Sequence, residues 1–535
     1  MAQGVPPSGA ATVNPGLISK QNRENERQIQ EQTKQPSVGP AVVGPSGPQT
    51  VIGPAGGATF LLKAVVFDKS AFISKEEFDA IAAPYIGKKV DLSQVQRIVK
   101  AVNDIYADRG LITASAYLPT QNLNSGTLHV GLVEGRLGKL TIKGNKRLKP
   151  DFILGHVPTQ PGAVVDVPQL SRSIAAFNKT GVAQFQAALQ PGVSFGLTDI
   201  NLAVLEPPAL QLDIFGDNQG VESVNRYEGG FLLQGYAPLG IDDRLTLYGV
   251  GSEGNINGNI AYSIPFNLSG GRIGVSYTQG AIRVVDGPFV GLDIKGQSRI
   301  ASANLAQPVY VDANWFFIGN TAIAYDVASS TQTSIQITDN RTTKETVGFS
   351  VGYSNQTLSL SISPTYSAAQ TAFQVTDTSQ RFSLYNASYA GSLRLPADFV
   401  ATLGGAFQIS SAQLIAGDQL FQLGGPTTVR GYSTGIVAGA SGYFGNLELH
   451  HGLDFVLPGL SAFGFYDRGT VYSTSPSEVT LNSVGAGVAY DFKRRVIGEL
   501  SIGFPLSNVV SNQAPYEIYF RVTTKFSSAD LASLN

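Results

Sequence analysis

The chain contains no cysteine, only four histidines and a single tryptophan. The first absence excludes a disulfide framework, a thiol nucleophile and cysteine-ligated zinc or iron–sulfur sites. Four histidines leave little room for a histidine-held metal. Charge is scarce too. Asp, Glu, Lys and Arg make up 14% of the 535 residues, against about 25% in soluble domains. A net charge of −2 gives no electrostatic footprint for nucleic acid. No apolar run reaches the roughly 18 residues of a transmembrane helix, which argues against a helical membrane protein. The N-terminus, MAQGVPPSG, lacks the basic and apolar segments of a secretory signal. An exported protein would carry this start only after its signal had been removed. What is abundant is glycine, at 60 residues, with 28 Phe and 21 Tyr. Mean hydropathy is +0.05. A membrane β-barrel fits this balance, and so does a large soluble β-protein.

Three styles of sequence follow one another. In residues 1–35, NPGLISKQNRENERQIQEQTKQP reads as a helix, with Asn14 as cap and Pro15 in the first turn. Its only large apolar residues are Leu17, Ile18 and Ile29. Such a helix suits a wet cavity or a partly disordered tail better than a core. Residues 36–58 form a Pro/Gly linker, extended and without a core of its own. Residues 59–135 read as strand, helix, helix, strand, strand. The segments are FLLKAVVF, a helix opened by the Ser74/Glu77 capping box, a helix carrying Val95 to Tyr106, LITASAYLP and TLHVGLVEG. Residues 136–208 repeat that order, an internal duplication.

From 209 to 535 helical periodicity disappears. Short alternating segments are separated by Gly, Asn, Asp, Ser and Pro turns. In YEIYFRVTTKF, Tyr516, Ile518, Phe520 and Val522 alternate with Glu517, Tyr519, Arg521 and Thr523. Alternation alone suits a soluble sandwich or a membrane barrel. Many segments, however, reach the ~9–11 residues that a tilted membrane strand needs. About 16 occur, an even number as in single-chain bacterial barrels.

Between the strands FVATLGGAFQIS and GYFGNLELHH lies a long loop containing GGPTTVRGYSTG. Loops of that length are usually functional or disordered. Farther on, FGFYDRGTVY places Phe463, Phe465 and Asp467 on one face of a strand. A carboxylate in lipid is costly, so Asp467 is expected to face the lumen. Arg430, on a loop folded inward, would be a natural bidentate partner. Taken singly, Arg430 also fits a solvated loop charge, and Asp467 an ordinary wall charge.

The motif VRGY at 429–432, followed by Phe465, Asp467 and Gly469 as F-x-D-x-G, resembles the paired signature of the outer-membrane barrel-assembly superfamily. The two duplicated units resemble its POTRA domains. Two such units, a polar N-terminal helix and a Pro-rich linker resemble the two-partner secretion transporters of the haemolysin-activator type. The resemblance covers nearly the whole chain. It implies a 16-stranded outer-membrane barrel of a Gram-negative bacterium, with POTRA domains in the periplasm and a helix plugging the pore. It also implies a loop–barrel latch of Arg430, Gly431, Tyr432, Phe465, Asp467 and Gly469.

The implied activity is export of an unfolded secreted partner, a large adhesin or cytolysin, bound first at POTRA strand edges and grooves near 91–134 and 166–205. Leaving the lumen would cost the weakly apolar helix little buried surface. Outer-membrane lipid and the barrel-assembly machinery are further expected partners, the latter during biogenesis, and the chain is expected to be monomeric. Family barrels commonly end on an aromatic residue. Phe526 fits that place, but SSADLASLN continues beyond it. The alternative function is an assembly factor or insertase for other membrane proteins. A simple diffusion porin leaves the duplicated units unexplained. No enzyme, cofactor or metal is expected. Glu448 and His450 share one side of a strand and read as polar pore wall, with Glu517 and Arg521 also lining the lumen. Ser441 in GASGY lacks the strand–turn–helix setting of a nucleophile elbow.

Overall fold

The computed structural model describes residues 13–33, 40–44, 52–158, 160–474, 476–493, 495–510 and 513–528. The expectations for the tail beyond residue 528, and for parts of the Pro/Gly linker, fall outside the described residues. Two compact units emerge. One contains the described residues between Pro40 and Glu206, and the other the N-terminal helix with everything from Pro207 onward.

The N-terminal helix is α1 (Pro15–Thr33), and Asn14 caps it through bonds from the Gly16 and Leu17 amides. The next unit opens with β1 (Val42–Val43), β2 (Phe60–Leu61) and β3 (Ala64–Phe67). Here FLLKAVVF is broken in two. Leu62 is fully buried between the halves, and the Lys63 and Ala64 amides both bond to the Gly126 carbonyl. Then come α2 (Lys75–Ala82), β4 (Lys89–Val90), α3 (Leu92–Asp108), β5 (Ala114–Tyr117) and β6 (Thr127–Glu134). The capping box at Ser74 and Glu77 is formed. A second one, Asp91 with Gln94, opens α3. The apolar face of α3 packs Val95, Ile98, Val99, Val102 and Tyr106 into the core.

The order recurs in β7 (Arg136–Lys143), α4 (Pro150–Gly155), α5 (Val167–Thr180), β8 (Gln184–Pro191) and β9 (Leu197–Leu205). Its sheet runs β1-β8-β9-β7. The linker is therefore not wholly without structure: Val42 and Val43 pair parallel with Ala187 and Ala188 on the edge of β8.

The remainder closes on itself as a barrel. Its first strands are β10 (Leu210–Asp217), β11 (Glu228–Tyr236), β12 (Arg244–Gly251), β13 (Asn255–Pro265) and β14 (Arg272–Arg283). Longer ones follow: β15 (Ile294–Val311), β16 (Trp315–Gln332), β17 (Ile335–Ser354), β18 (Leu358–Phe373) and β19 (Thr378–Arg394). Next is β20 (Phe399–Ser410), and the long loop then carries its own hairpin, β21 (Phe421–Leu423) and β22 (Val437–Gly439). The barrel finishes with β23 (Ser441–Gly452), β24 (Leu460–Tyr472), β25 (Glu478–Phe492), β26 (Val496–Pro505) and β27 (Glu517–Ser527).

Sixteen antiparallel strands close when β27 pairs with β10. Closure leaves no open sheet edge along the wall. Leu447, Leu449, Leu500, Ile518 and Val522 lie exposed on the outside, while Asp467, Ser483, Ser501, Arg521 and Thr523 are buried inside. Apolar outside and polar inside is the arrangement of a membrane barrel, so the soluble sandwich is excluded. Strands β15 to β19 run 16 to 20 residues. They exceed the ~9–11 needed to cross and project past the apolar layer.

Candidate functional site

Two pieces of chain occupy the barrel interior. The first is the loop of residues 411–440. It folds back against the wall, and Leu423, Val429, Tyr432, Ile436 and Val437 pack with Val471 and Leu481. The buried Tyr432 hydroxyl lies 2.9 Å from the carbonyl oxygens of Asn482 and Ser507. Gly431 has φ of +85°, and a Cβ there would stand 3.1 Å from the Gly503 backbone. Only glycine lets the loop tip turn this way and run so close to β26.

The turn delivers Arg430 to Asp467. Its Nε and Nη2 each donate to one carboxylate oxygen of Asp467 at 2.8 Å, and its backbone amide donates at 3.0 Å. Arg430 is 5% exposed and Asp467 0%. Directional, charge-assisted bonds of this kind are what a guanidinium supplies and an ammonium does not. The Phe465 ring lies under the guanidinium, 3.5 Å from its carbon to the ring centroid. This is a close cation–π stack. Gly469 leaves room for the loop: a Cβ there would meet Leu423 Cδ1 and the Tyr443 carbonyl, both at 2.9 Å. The six residues of the expected latch are thus brought together.

Glu448 has a closer part than a polar wall position suggests. Its carboxylate meets Arg430 Nη1 at 2.6 Å and His450 Nε2 at 2.7 Å. Arg430 therefore bridges two carboxylates on adjacent strands. In the register of β23 with β24, Glu448 stands opposite Phe465. Glu517 and Arg521 face the lumen, as their alternation implies, and both are paired. Arg521 bonds to Asp217 at 2.8 Å and Glu517 to Arg226 at 3.0 Å. Tyr519 was hidden in the same alternating segment. Its hydroxyl accepts from the Gly431 amide at 3.1 Å and donates to the Tyr432 carbonyl at 2.7 Å. The sequence signal for Tyr519 is only its inward parity.

The second piece is α1. Leu17 packs on Leu420 and Ala440, Ile18 on Val221, Val224 and Ile282, and Ile29 on Phe215, Leu232, Tyr248 and Val250. Polar contacts accompany them. Asn257 donates to Ser19 at 2.8 Å, Asn259 to Glu26 at 2.9 Å, and Lys20 to the Leu420 carbonyl at 3.3 Å. All three large apolar side chains of the helix are 2% exposed or less. Release therefore uncovers more than the polar composition suggests. Each such side chain is worth about 1.5–3 kcal/mol.

The comparisons agree with this architecture. The ShlB-type POTRA domain family matches residues 60–135, and the family described as haemolysin secretion/activation protein ShlB/FhaC/HecB matches residues 196–492. The heme/hemopexin transporter protein HuxB of Haemophilus influenzae is 23% identical over 498 residues, 88% of each chain. The solved structure of CdiB from Escherichia coli matches with a TM-score of 0.77 at 19% identity, covering 98% of this chain and all of that one. BamA from Haemophilus ducreyi lacking POTRA domains 1–3 gives a TM-score of 0.51 at 16% identity, over 88% of this chain. This chain belongs to the ShlB/FhaC/HecB family of haemolysin secretion/activation proteins: it is an outer-membrane transporter whose POTRA domains lie in the periplasm and whose β-barrel is the pore for an exported partner protein.

Proposed function

We propose that the chain exports one unfolded client, or a few, through a pore held shut by α1 and by the Arg430–Asp467–Glu448 latch. The observation that carries this reading is Arg430, 5% exposed inside the barrel and shared between two carboxylates on neighbouring strands. A loop held in the lumen by side-chain contacts, with Arg430 at their centre, is a closure that can be undone without unpairing the wall. The domain limits follow the same logic: plug to residue 35, linker to 58, POTRA units at 59–135 and 136–208, barrel from 209. A client would dock by strand addition at the outer edges of β5 and β8. On β8 it would compete with the pairing at Val42 and Val43. The apolar outer face supports contact with lipid, and a barrel that closes within one chain needs no second copy to complete its wall, which is compatible with the proposed monomer. Insertion with the help of barrel-assembly machinery belongs to the same proposal.

Deleting the chain from its host tests the reading against the assembly-factor alternative. Loss of one or a few large extracellular proteins, with the outer-membrane proteome unchanged, supports export. A general fall in outer-membrane proteins would overturn it. The relative HuxB carries heme/hemopexin in its name. A client used in nutrient acquisition is therefore one class to look for among the missing proteins.

A further inference from the structure

The outward face of the barrel carries its own pattern of charge. The chain enters β10 from the periplasm, so in this antiparallel wall β14 and β16 rise toward the cell exterior, and β15 and β17 return. On β16 the outward aromatic residues stand at two heights. Trp315, its ring centroid 4.9 Å from that of Tyr353 on β17, marks the periplasmic end. Tyr325, 47% exposed, marks the other. The stretch between them matches the ~9–11 residues of one membrane crossing. Tyr277 on β14 stands at the upper level too, since the register runs from Tyr277 to Ala301 to Tyr325. Aromatic belts of this kind sit at the level of the lipid headgroups.

One pleat farther out, the register sets two arginines in a row. Arg299 on β15 stands opposite Val327 on β16, and Val327 opposite Arg341 on β17. Both arginines are exposed. Neighbouring strands lie about 4.8 Å apart, which puts the two Cα atoms about 10 Å from each other. Higher on the same face, Arg283 ends β14 directly opposite Lys295 of β15. Like charges so placed destabilise a sheet, and an anion between them removes that cost.

The acids nearby leave part of this charge unmatched. Asp293 meets Lys295 at 3.1 Å, and Asp339 meets Arg341 at 3.4 Å. Glu253 accepts from Asn225 at 3.3 Å. Glu345 lies two pleats below Arg341, opposite Ile323. Among the described residues, Arg283 and Arg299 have no ion pair and no side-chain hydrogen bond. The surface also dips here. Ala281, Ser329 and Thr331 are small, and a depression of about 640 Å³ opens over them, bordered by Arg283, Lys295 and Gln297. Arg299 stands one pleat below Gln297 on β15.

We propose that this face of β14–β17 binds the phosphorylated sugar headgroup of a lipopolysaccharide molecule in the outer leaflet. The acyl chains would lie on the apolar wall below Tyr277 and Tyr325. The phosphates would meet Arg299 and Arg341 just above the belt, and Arg283 and Lys295 higher up. A guanidinium offers phosphate oxygens two parallel N–H donors. Placement against the belt, outside the pore, is what favours a lipid over a free anion. The inference rests on the proposed contact of the outer face with lipid and is independent of the latch.

The full chain, stripped of native lipid in detergent micelles, can be titrated with lipid A and read by native mass spectrometry. The parent should retain lipid A, and lipid A lacking its phosphates should bind roughly tenfold more weakly, or worse. Arg299→Ala combined with Arg341→Ala should lower lipid A affinity by a similar factor. Arg299→Lys with Arg341→Lys should recover part of it, because the charge remains and the fork is lost. Arg468→Ala, exposed on β24 across the barrel, should bind as the parent does. Equal lipid A binding by the parent and the double alanine variant overturns the site. Phosphatidylglycerol bound as tightly as lipid A overturns it too, and so does displacement of lipid A by millimolar inorganic phosphate. A parent that retains no lipid of any kind would sink the lipid reading of the outer wall along with the site. The comparison of lipid A with its dephosphorylated form needs only the parent, so it decides the matter even where a variant fails to fold.

Discussion

Replacing Arg430 and Asp467, singly and together, gives the sharpest test of the latch. Arg430→Ala strands two carboxylates, Asp467 at 0% exposure and Glu448, which keeps only His450. Removing one partner of a buried pair costs about 3–5 kcal/mol. Asp467→Ala is milder, since the guanidinium still meets Glu448 at 2.6 Å and the Phe465 ring at 3.5 Å. Charge-assisted bonds of about 1.5–3 kcal/mol are lost there. The double variant should fall close to Arg430→Ala alone, with a coupling near the upper end of the roughly 0.5–3 kcal/mol seen for touching residues.

These energies convert to the population of released loop. About 3 kcal/mol is roughly a hundredfold change in that equilibrium. The chain has no cysteine, so the substitution Thr434→Cys introduces a unique probe. Thr434 is 5% exposed when the loop is seated. Maleimide labelling at that position reports the released fraction directly. Labelling should accelerate about a hundredfold in Arg430→Ala, less in Asp467→Ala, and no further in the double variant. Export of the client should fall in the same order, while the amount of folded barrel stays near that of the parent. Equal labelling in Arg430→Ala and the parent would refute the reasoning, and so would losses that simply add.

Deleting residues 1–35 should raise single-channel conductance in planar bilayers while export largely survives; an intact chain that already conducts as a fully open pore would sink the plug. Gly431→Ala should release the loop, though less than Arg430→Ala, because φ of +85° strains any side chain and the methyl group would press on the Gly503 backbone at 3.1 Å; maleimide labelling in the Thr434→Cys background measures it. In the periplasmic unit, the Ser93 hydroxyl, with the Gln94 and Gly56 amides, holds the Asp91 carboxyl at about 2, below its ordinary 3.8. A carboxyl lowered on folding stabilises fully above the ordinary value and loses that effect as pH falls through the lowered one. Asp91→Asn should therefore speed exchange of α3 amides at pH 7, and the difference from the parent should vanish between about pH 4 and pH 2.

Much of this was legible from residue types alone. Alternation in YEIYFRVTTKF puts Glu517, Tyr519 and Arg521 on one face, and once the strands form a membrane barrel that polar face is the inward one. The scarcity of charge made Arg430 and Asp467 conspicuous. What alternation cannot supply is stagger between strands. Glu448 becomes a partner of Arg430 only because β23 and β24 align it opposite Phe465. A shift of two residues keeps every parity and separates them. The burial of α1 was hidden for a related reason. Three apolar residues among many polar ones look weak on a helix. Each nevertheless finds its own apolar patch on the wall or the loops, at Leu420, Val224 and Phe215. Val42 and Val43 joined a sheet although the composition around them reads as linker. Two residues are too short a signal for any periodicity.

The two pieces inside the barrel touch each other, which raises the question of whether one can leave without the other. Contact of α1 with the loop is made by Leu17 on Leu420 and Ala440 and by Lys20 on the Leu420 carbonyl. Leu420 falls just before β21 and Ala440 just after β22, at the two ends of the loop's hairpin. The latch at Arg430 falls at its tip, and the pairing of Phe421–Leu423 with Val437–Gly439 lies between. Arg430 is held by Asp467 and Glu448, and Gly431 and Tyr432 by Tyr519; none of these residues lies on α1. Helix exit should then disturb residues 417–420 and Ala440, at the base of the hairpin, and leave the latch seated. On this logic the Thr434→Cys thiol labels no faster in the chain lacking residues 1–35 than in the full chain, although its conductance is higher. A tenfold or greater acceleration would mean that strain passes through the β21–β22 pairing, and that plug and latch open together.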